Sequence, residues 1–364
     1  MITTPPRQRG GANNAPTTHP IDIVRRNGYC ISGCVRLRIM VDPNGEYGLF
    51  QDLNYVLRLA RDAKQQYKLK FLLDFHYSHW WVDGENQWSP DRWRTTYHGN
   101  TTKPMEEVAP LLYQYTHNVL EVLRDNNVLP DAVQVGNEIS PGMVWPLGMI
   151  PTDWKEDETL PEEWYNLAEL LHMGTKAVHD VSKDIKIMIH LDTGGDAVYT
   201  SKWMRTFFKL GGECDIIGLS WYPMWHGTVD DLVNNINTLT VNFPKQEVWV
   251  VETAYYYEGS CDKDDEKCKT RFPFPMTEQG QADFLDNIRN TLLKQTKCRA
   301  IFYWGSRWTR PSLWFRGGDD WDDAQRRALF DRNGQALKGL VTLPGSWLQN
   351  KMNRWASLSW RDRI

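Results

Sequence analysis

No stretch of the 364-residue chain stays apolar for the roughly 20 residues that a membrane-crossing helix needs, so a soluble protein with no membrane partner is expected. Long basic runs are also missing and the formal net charge is −4, which removes nucleic acid from the expected partners. Cys and His nowhere cluster at zinc-ligand spacing, so neither a metal nor a cofactor is expected. The acidic loop SCDKDDEKC (260–268) lacks the glycine and the closing glutamate of an EF-hand loop, and solvated surface is the expected reading rather than a calcium site. Residues 1–19 lack both periodicity and the apolar segment of a secretion signal; they are expected as a disordered N-terminal segment ahead of one domain over 20–364. Cysteine is sparse. Of the six, Cys261 and Cys268 bracket the acidic loop and are the first choice for a local disulfide, whereas Cys30, Cys34, Cys214 and Cys298 are either paired or simply buried. One glycosylation sequon, Asn100-Thr101-Thr102, is present.

What the chain does have is an alternation of short apolar runs with helical patterns. Strands are expected at 35–41, 69–76, 132–138, 185–192, 215–222, 247–253 and 299–304. Between them apolar residues recur at helical spacing, as at Leu53, Val56, Leu57 and Ala60, at Val108, Leu111, Leu112, Tyr115, Val119 and Val122, and at Gln281, Phe284, Leu285, Ile288 and Leu292. Repeated strand–helix units imply a parallel sheet covered by helices, and the length suits a single α/β (β/α)8 TIM barrel. Counting by twos along the first strand puts Val35, Leu37 and Ile39 toward the outer helices and Arg36 and Arg38 toward the interior. The same reasoning expects Asp74, His76, Glu138, His190, Asp192, Ser220, Tyr222, Glu252 and Trp304 to point inward near the C-terminal ends of their strands, the face on which barrel enzymes place their chemistry. Any one of these alone is more often a satisfied core polar residue; their coincidence at one end favours a site.

Two strand ends carry most of that expectation. VQVGNEISPGMVWPLG (133–148) ends an apolar run on Asn137-Glu138 and continues into a loop rich in Gly, Trp and Pro, while EVWVVETAYYY (247–257) ends on Glu252 and continues into an aromatic loop. A pair of carboxyls converging at one barrel mouth is what acid-assisted cleavage of a sugar requires. Tryptophan is abundant, 18 residues, and Trp80, Trp81, Trp88, Trp93, Trp145, Trp221, Trp225, Trp308 and Trp314 follow strands, which suits platforms for sugar rings.

The order of PIDIVRRNG, VRLRIMVDP, DFHYSHWWVDGENQWSP, VQVGNEISPGMVWPLG, IHLDTGGD, IIGLSWYPMWHGT, VVET and LFDRNGQALKGL resembles glycoside hydrolase family 53, the endo-β-1,4-galactanases. The resemblance implies a retaining glycoside hydrolase with Glu138 as general acid/base and Glu252 as nucleophile. The residues themselves agree: Asn137 can hold a sugar 2-OH, Trp145 can exclude water from Glu138, and a donor such as Arg38, with Tyr222, can keep Glu252 ionised. By resemblance, His76, Tyr77, Trp81, Asp83, His190, Asp192, Trp225, His226 and Trp304 line sugar subsites, the partner is β-1,4-galactan, and the protein is an extracellular monomer. Competing readings are a β-1,4-mannanase or glucanase of a related barrel family and a non-catalytic galactan-binding paralogue. The chain departs from the family pattern at His79, where Asp is usual, at Gly84, where Pro is usual, and at Gly305-Ser306, where Glu-Pro is usual. No strand of the GADVS type precedes Pro20, so seven strands are expected rather than eight, with two open sheet edges on the 35–41 and 299–304 strands.

Overall fold

The computed structural model describes residues 33–43, 51–95, 103–261, 265–305, 326–333 and 335–342. In chain order its regular elements are β1 (Cys34–Ile39), α1 (Leu53–Arg61), β2 (Lys70–Phe75), α2 (Met105–Asp125), β3 (Ala132–Val135), the short β4 (Gly142–Met143) and β5 (Gly148–Met149), α3 (Glu162–Val181), β6 (Lys186–Leu191), α4 (Ala197–Lys209), β7 (Ile216–Ser220), α5 (Pro223–His226), α6 (Val229–Asn242), β8 (Glu247–Thr253), α7 (Glu266–Arg271), α8 (Glu278–Gln295), β9 (Ile301–Tyr303) and α9 (Lys338–Thr342). Helix starts are set by local chemistry. Asp52 accepts from the Tyr55 amide ahead of α1, and Thr228 and Asp231 form a reciprocal capping box ahead of α6.

Seven strands lie side by side in the order β1-β2-β3-β6-β7-β8-β9, every neighbouring pair parallel, and curl into a nearly closed barrel with helices outside. This is the TIM-barrel architecture expected from the sequence. The seven expected strands are all present and mostly end earlier than the apolar runs suggested, because the last residues of each run turn into site loops. Among the described residues β1 and β9 each pair with one strand only. The N-terminal segment 1–19, the question of a further strand, the sequon at Asn100, and Cys30, Trp308 and Trp314 lie outside the described residues. Cys261 and Cys268 form the expected disulfide, while Cys34, Cys214 and Cys298 are free thiols.

Alternation along the strands builds two layers. Outward residues such as Ile39, Phe71, Leu73, Val133, Val135, Ile187, Ile217 and Val248 merge with the helices into one apolar core. Inward, Leu72, Ala132, Met188, Ile216 and Val251 close the barrel floor. Further along the strands the interior turns polar, with Asp74, Gln134, His190 and Ser220 all fully buried. Glu252 does point inward, but parity does not put it there as expected: Val248 and Val250 face outward, so strict alternation would send Glu252 outward with them. A register shift between β7 and β8, where Leu219 faces Val250 but Ser220 faces Glu252, inserts Val251 and turns the glutamate into the barrel.

The loop after β3 contains a feature the sequence pattern did not announce. β4 and β5 pair antiparallel as a two-residue ladder, too short to have a period. Gly142 sits at φ +90°, and a β-carbon there would lie 1.8 Å from the Gly148 carbonyl oxygen, so only glycine fits.

Candidate active site

Glu252, at the end of β8, is held by two donors. Arg36 Nη1 donates to Oε1 at 2.6 Å and the Tyr222 hydroxyl donates to Oε2 at 2.8 Å. Burial alone would raise its pKa, but the charges of Arg36 and Arg38 and the tyrosine hydrogen bond prevail and hold it below the ordinary value. The donor expected to be one such as Arg38 is thus Arg36. Both arginines point inward as alternation requires, but Arg38 lies over the Trp81 ring, 4.2 Å from its centroid, with its Nε 3.9 Å from Asp74. The remaining N–H groups of Arg36 reach Asn137 Oδ1 at 2.6 Å, Asp74 Oδ2 at 3.0 Å and Gln134 Oε1 at 3.1 Å. Asn137 donates from Nδ2 to the Val82 carbonyl at 2.7 Å, which leaves it a second amide hydrogen.

Glu138 follows β3 after a backbone kink at Gly136 (φ +86°) and itself occupies the left-handed region at φ +50°. Such a conformation in a non-glycine residue stores strain of about 1 to 3 kcal/mol and is typical of functional positions. The kink lets consecutive side chains, Asn137 and Glu138, both enter the barrel. Burial is the main force on the Glu138 carboxyl, followed by the charges of Glu252 and Asp192, and together they raise its pKa well above the ordinary value; a hydrogen bond from Ser220 opposes them. Ser220 is itself fixed by His190 Nε2, 2.9 Å from its Oγ, and His190 Nδ1 lies 3.2 Å from the Glu138 amide nitrogen. Burial lowers the His190 pKa to about 3, so the imidazole is neutral. Carboxylate oxygens of Glu138 and Glu252 and a ring nitrogen of His190 lie within 4.8 Å of one another. That spacing would admit a cation, but both oxygens of Glu252 and both ring nitrogens of His190 are already engaged in hydrogen bonds, and Arg36 supplies the positive charge there.

The other expected residues divide. Asp74 fixes His76, whose Nε2 lies 3.1 Å from Asp74 Oδ2 and whose Nδ1 accepts from the Val82 amide; burial outweighs the pull of the carboxylate and lowers the imidazole pKa to about 4, keeping it neutral. Trp81 packs edge-on against His76. Asp83 organises its loop, Oδ1 accepting from the Glu85 amide at 2.8 Å, and burial raises its pKa. Asp192 stands at the cleft with its pKa raised by burial; its Oδ2 fills the space a β-carbon at Gly84 would need, at 2.0 Å. Trp145 is buried, pinned by its indole N–H to the Pro141 carbonyl and stacked edgewise with Trp88 at 5.9 Å. Trp225 projects into solvent, 58% exposed, as a platform must. His226 turns inward on its own helix, Nδ1 accepting from the Tyr222 amide, and burial lowers its pKa to about 4. Tyr77 is corrected. It lies outside the cleft, its backbone at φ +44°, its ring stacked on Phe75 and its hydroxyl on Thr116 of α2. Two residues past β2, Tyr77 keeps the outward parity of Phe71, Leu73 and Phe75, and its ring joins the helix layer.

Several site residues were not singled out from sequence. Arg36 and Gln134 were legible as inward positions, since alternation marks them. Gln87, which donates to the Asp83, Asn137 and Glu138 carbonyls, and Arg327, whose guanidinium lies 5.2 Å from both the Trp225 and Trp304 rings, sit in loops without any period. Arg327 thus lies between the Trp225 and Trp304 rings.

Comparison with known proteins matches this arrangement to a family. The model of glycosyl hydrolase family 53 matches residues 10–343. The chain is 35% identical over 346 residues to an uncharacterised protein of Niallia circulans, covering 92% of this chain and 89% of that one. It is 30% identical over 332 residues to the arabinogalactan endo-beta-1,4-galactanase of Humicola insolens, covering 87% and 88%. Among solved structures, the Ignisphaera aggregans GH53 catalytic domain superposes with a TM-score of 0.75 at 31% identity, covering 89% of this chain and 88% of that one. A match across nearly the whole barrel, with an acidic pair at its C-terminal mouth, places this chain in glycosyl hydrolase family 53.

Proposed function

We propose that this chain hydrolyses internal β-1,4-galactosidic bonds of galactan or type I arabinogalactan with retention of configuration. The observation that carries the reading is the carboxyl pair: oxygens of Glu138 and Glu252 within 4.8 Å, one acid held protonated and the other ionised. Retaining glycosidases use carboxyls about 5 to 5.5 Å apart, whereas inverting ones leave about 6.5 to 9.5 Å for a water. In the first step a Glu252 oxygen attacks the anomeric carbon while Glu138 gives its proton to the leaving oxygen, and a glycosyl ester forms as the glycosidic bond breaks. In the second, Glu138, now ionised, takes a proton from water, whose oxygen displaces Glu252. Asn137 presents its spare amide hydrogen toward the sugar 2-OH, and Trp304 and Trp225 supply ring platforms.

Galactan is favoured over mannan or glucan by the galactanase relatives. The Cys261–Cys268 disulfide supports work in an oxidising, extracellular setting. Digesting galactan, mannan and cellulose in parallel, with product sizes and the anomer of the first product read by proton NMR, tests this directly. Short β-galacto-oligosaccharides released first as the β-anomer are expected from galactan alone; α-anomer release, or faster cleavage of mannan, would overturn it.

A further inference from the structure

We propose that Gln134 is a positioning residue for the glycosidase reaction: its amide holds Arg36 in the one orientation that reaches Glu252. The inference rests on Glu252 being the nucleophile. Gln134 lies on β3 with no exposed surface, one layer above the apolar floor, and both ends of its amide are engaged. Oε1 accepts from Arg36 Nε at 3.1 Å; Nε2 donates to Asp74 Oδ1 at 2.7 Å, with the Gly136 carbonyl at 2.9 Å and Asn137 Oδ1 at 3.2 Å.

The geometry matters because Arg36 stands between two carboxylates. A guanidinium facing a carboxylate prefers the parallel two-bond arrangement. Asp74, fully buried beside it, is a competitor for that arrangement. By donating to Asp74 Oδ1, Gln134 takes one of the two oxygens the fork would need, and by accepting from Nε it fixes the plane of the guanidinium. Asp74 is left with Oδ2 for Nη2, and Nη1 is free to meet Glu252 at 2.6 Å. An amide is the side chain that can do both at once, accepting from the cation and donating to the anion. No water can replace it at full burial without a cavity to hold it. Leucine at 134 would free Asp74 Oδ1 to draw the fork off Glu252. Glutamate would set a carboxylate against Asp74.

The test compares Gln134→Leu and the isosteric Gln134→Glu with the native chain and with Glu252→Gln, following kcat and KM on galactan from pH 3 to 9. Both Gln134 variants should lose about 100-fold in kcat, the scale of a displaced catalytic group, with KM little changed. The acid limb of kcat/KM should move up by about one pH unit, corresponding to tenfold tighter proton binding by a nucleophile that has lost Arg36. The position of that limb does not depend on how much of a variant folds, so partial misfolding leaves the test intact, and the glutamate variant serves if the leucine variant cannot be obtained. An acid limb unmoved in both, whether or not the rate falls, would overturn the proposal. A native chain inactive on galactan, or an active Glu252→Gln, would instead overturn the function on which it rests.

Discussion

At the scale of single residues, the site is nearly balanced in charge: Arg36 and Arg38 face Asp74 and Glu252, and Glu138 keeps its proton. That proton has a thermodynamic consequence. The folded chain holds it above the ordinary carboxyl value of 4.5, where the unfolded chain does not, so the Glu138 contribution to stability is full below 4.5 and is lost as pH rises toward the raised folded value, by about 1.4 kcal/mol per pH unit. Glu138→Gln removes this loss. It should melt higher than the native chain at pH 7, with the gap closing as pH approaches 4.5, while turnover falls except on substrates whose leaving group needs no proton. Glu252→Gln should do the opposite to stability. It costs Arg36 its closest ionic partner inside the barrel, and a loss of about 1 to 3 kcal/mol together with all turnover is expected. Thermal melts of both variants at pH 5 and 7.5 check the signs; a destabilised Glu138→Gln at pH 7 would contradict the electrostatic picture.

At the scale of elements, three local departures from regularity aim the chemistry. The kink at Gly136 turns Asn137 and Glu138 inward together, the register shift at Val251 turns Glu252 inward, and the β4–β5 ladder pins the loop that carries Trp145. The ladder is the easiest to break. Gly142→Ala meets the Gly148 carbonyl oxygen at 1.8 Å in a backbone conformation that costs alanine about 1 to 3 kcal/mol before any clash is counted. The variant should melt lower by at least that much and should bind galactan more weakly, because Trp145, which packs edgewise on Trp88, loses its seat. A rise in KM larger than the fall in kcat is the expected signature, and unchanged KM with a lowered melting temperature would detach the ladder from substrate binding. The expected strands and helices were largely legible because apolar period distinguishes them. The ladder was not, since two residues of strand have no period and depend on a glycine pair meeting across a loop.

For the molecule as a whole, closure of the sheet decides where stability lies. β3, β6 and β7 are hydrogen-bonded on both sides and buried apart from Lys186 at the start of β6, whereas β1 and β9 are paired on one side among the described residues and are only partly buried. Native-state hydrogen exchange should find the slowest amides at Val133, Val135, Ile187, Ile189 and Ile217, and faster ones at Leu37 and Phe302. Uniform protection across all seven strands would show a barrel sealed more evenly than this pairing implies. By itself the sequence determined the alternation of strand and helix, the inward or outward side of each regular strand position, the local disulfide and the two glutamates at strand ends, because each follows from spacing over a few residues. Tertiary structure alone decided which arginine meets Glu252 and that Gln87 and Arg327 join the cleft. Arg36 and Glu252 are 216 residues apart, and their contact depends on barrel closure and a one-residue register shift, which no local pattern encodes.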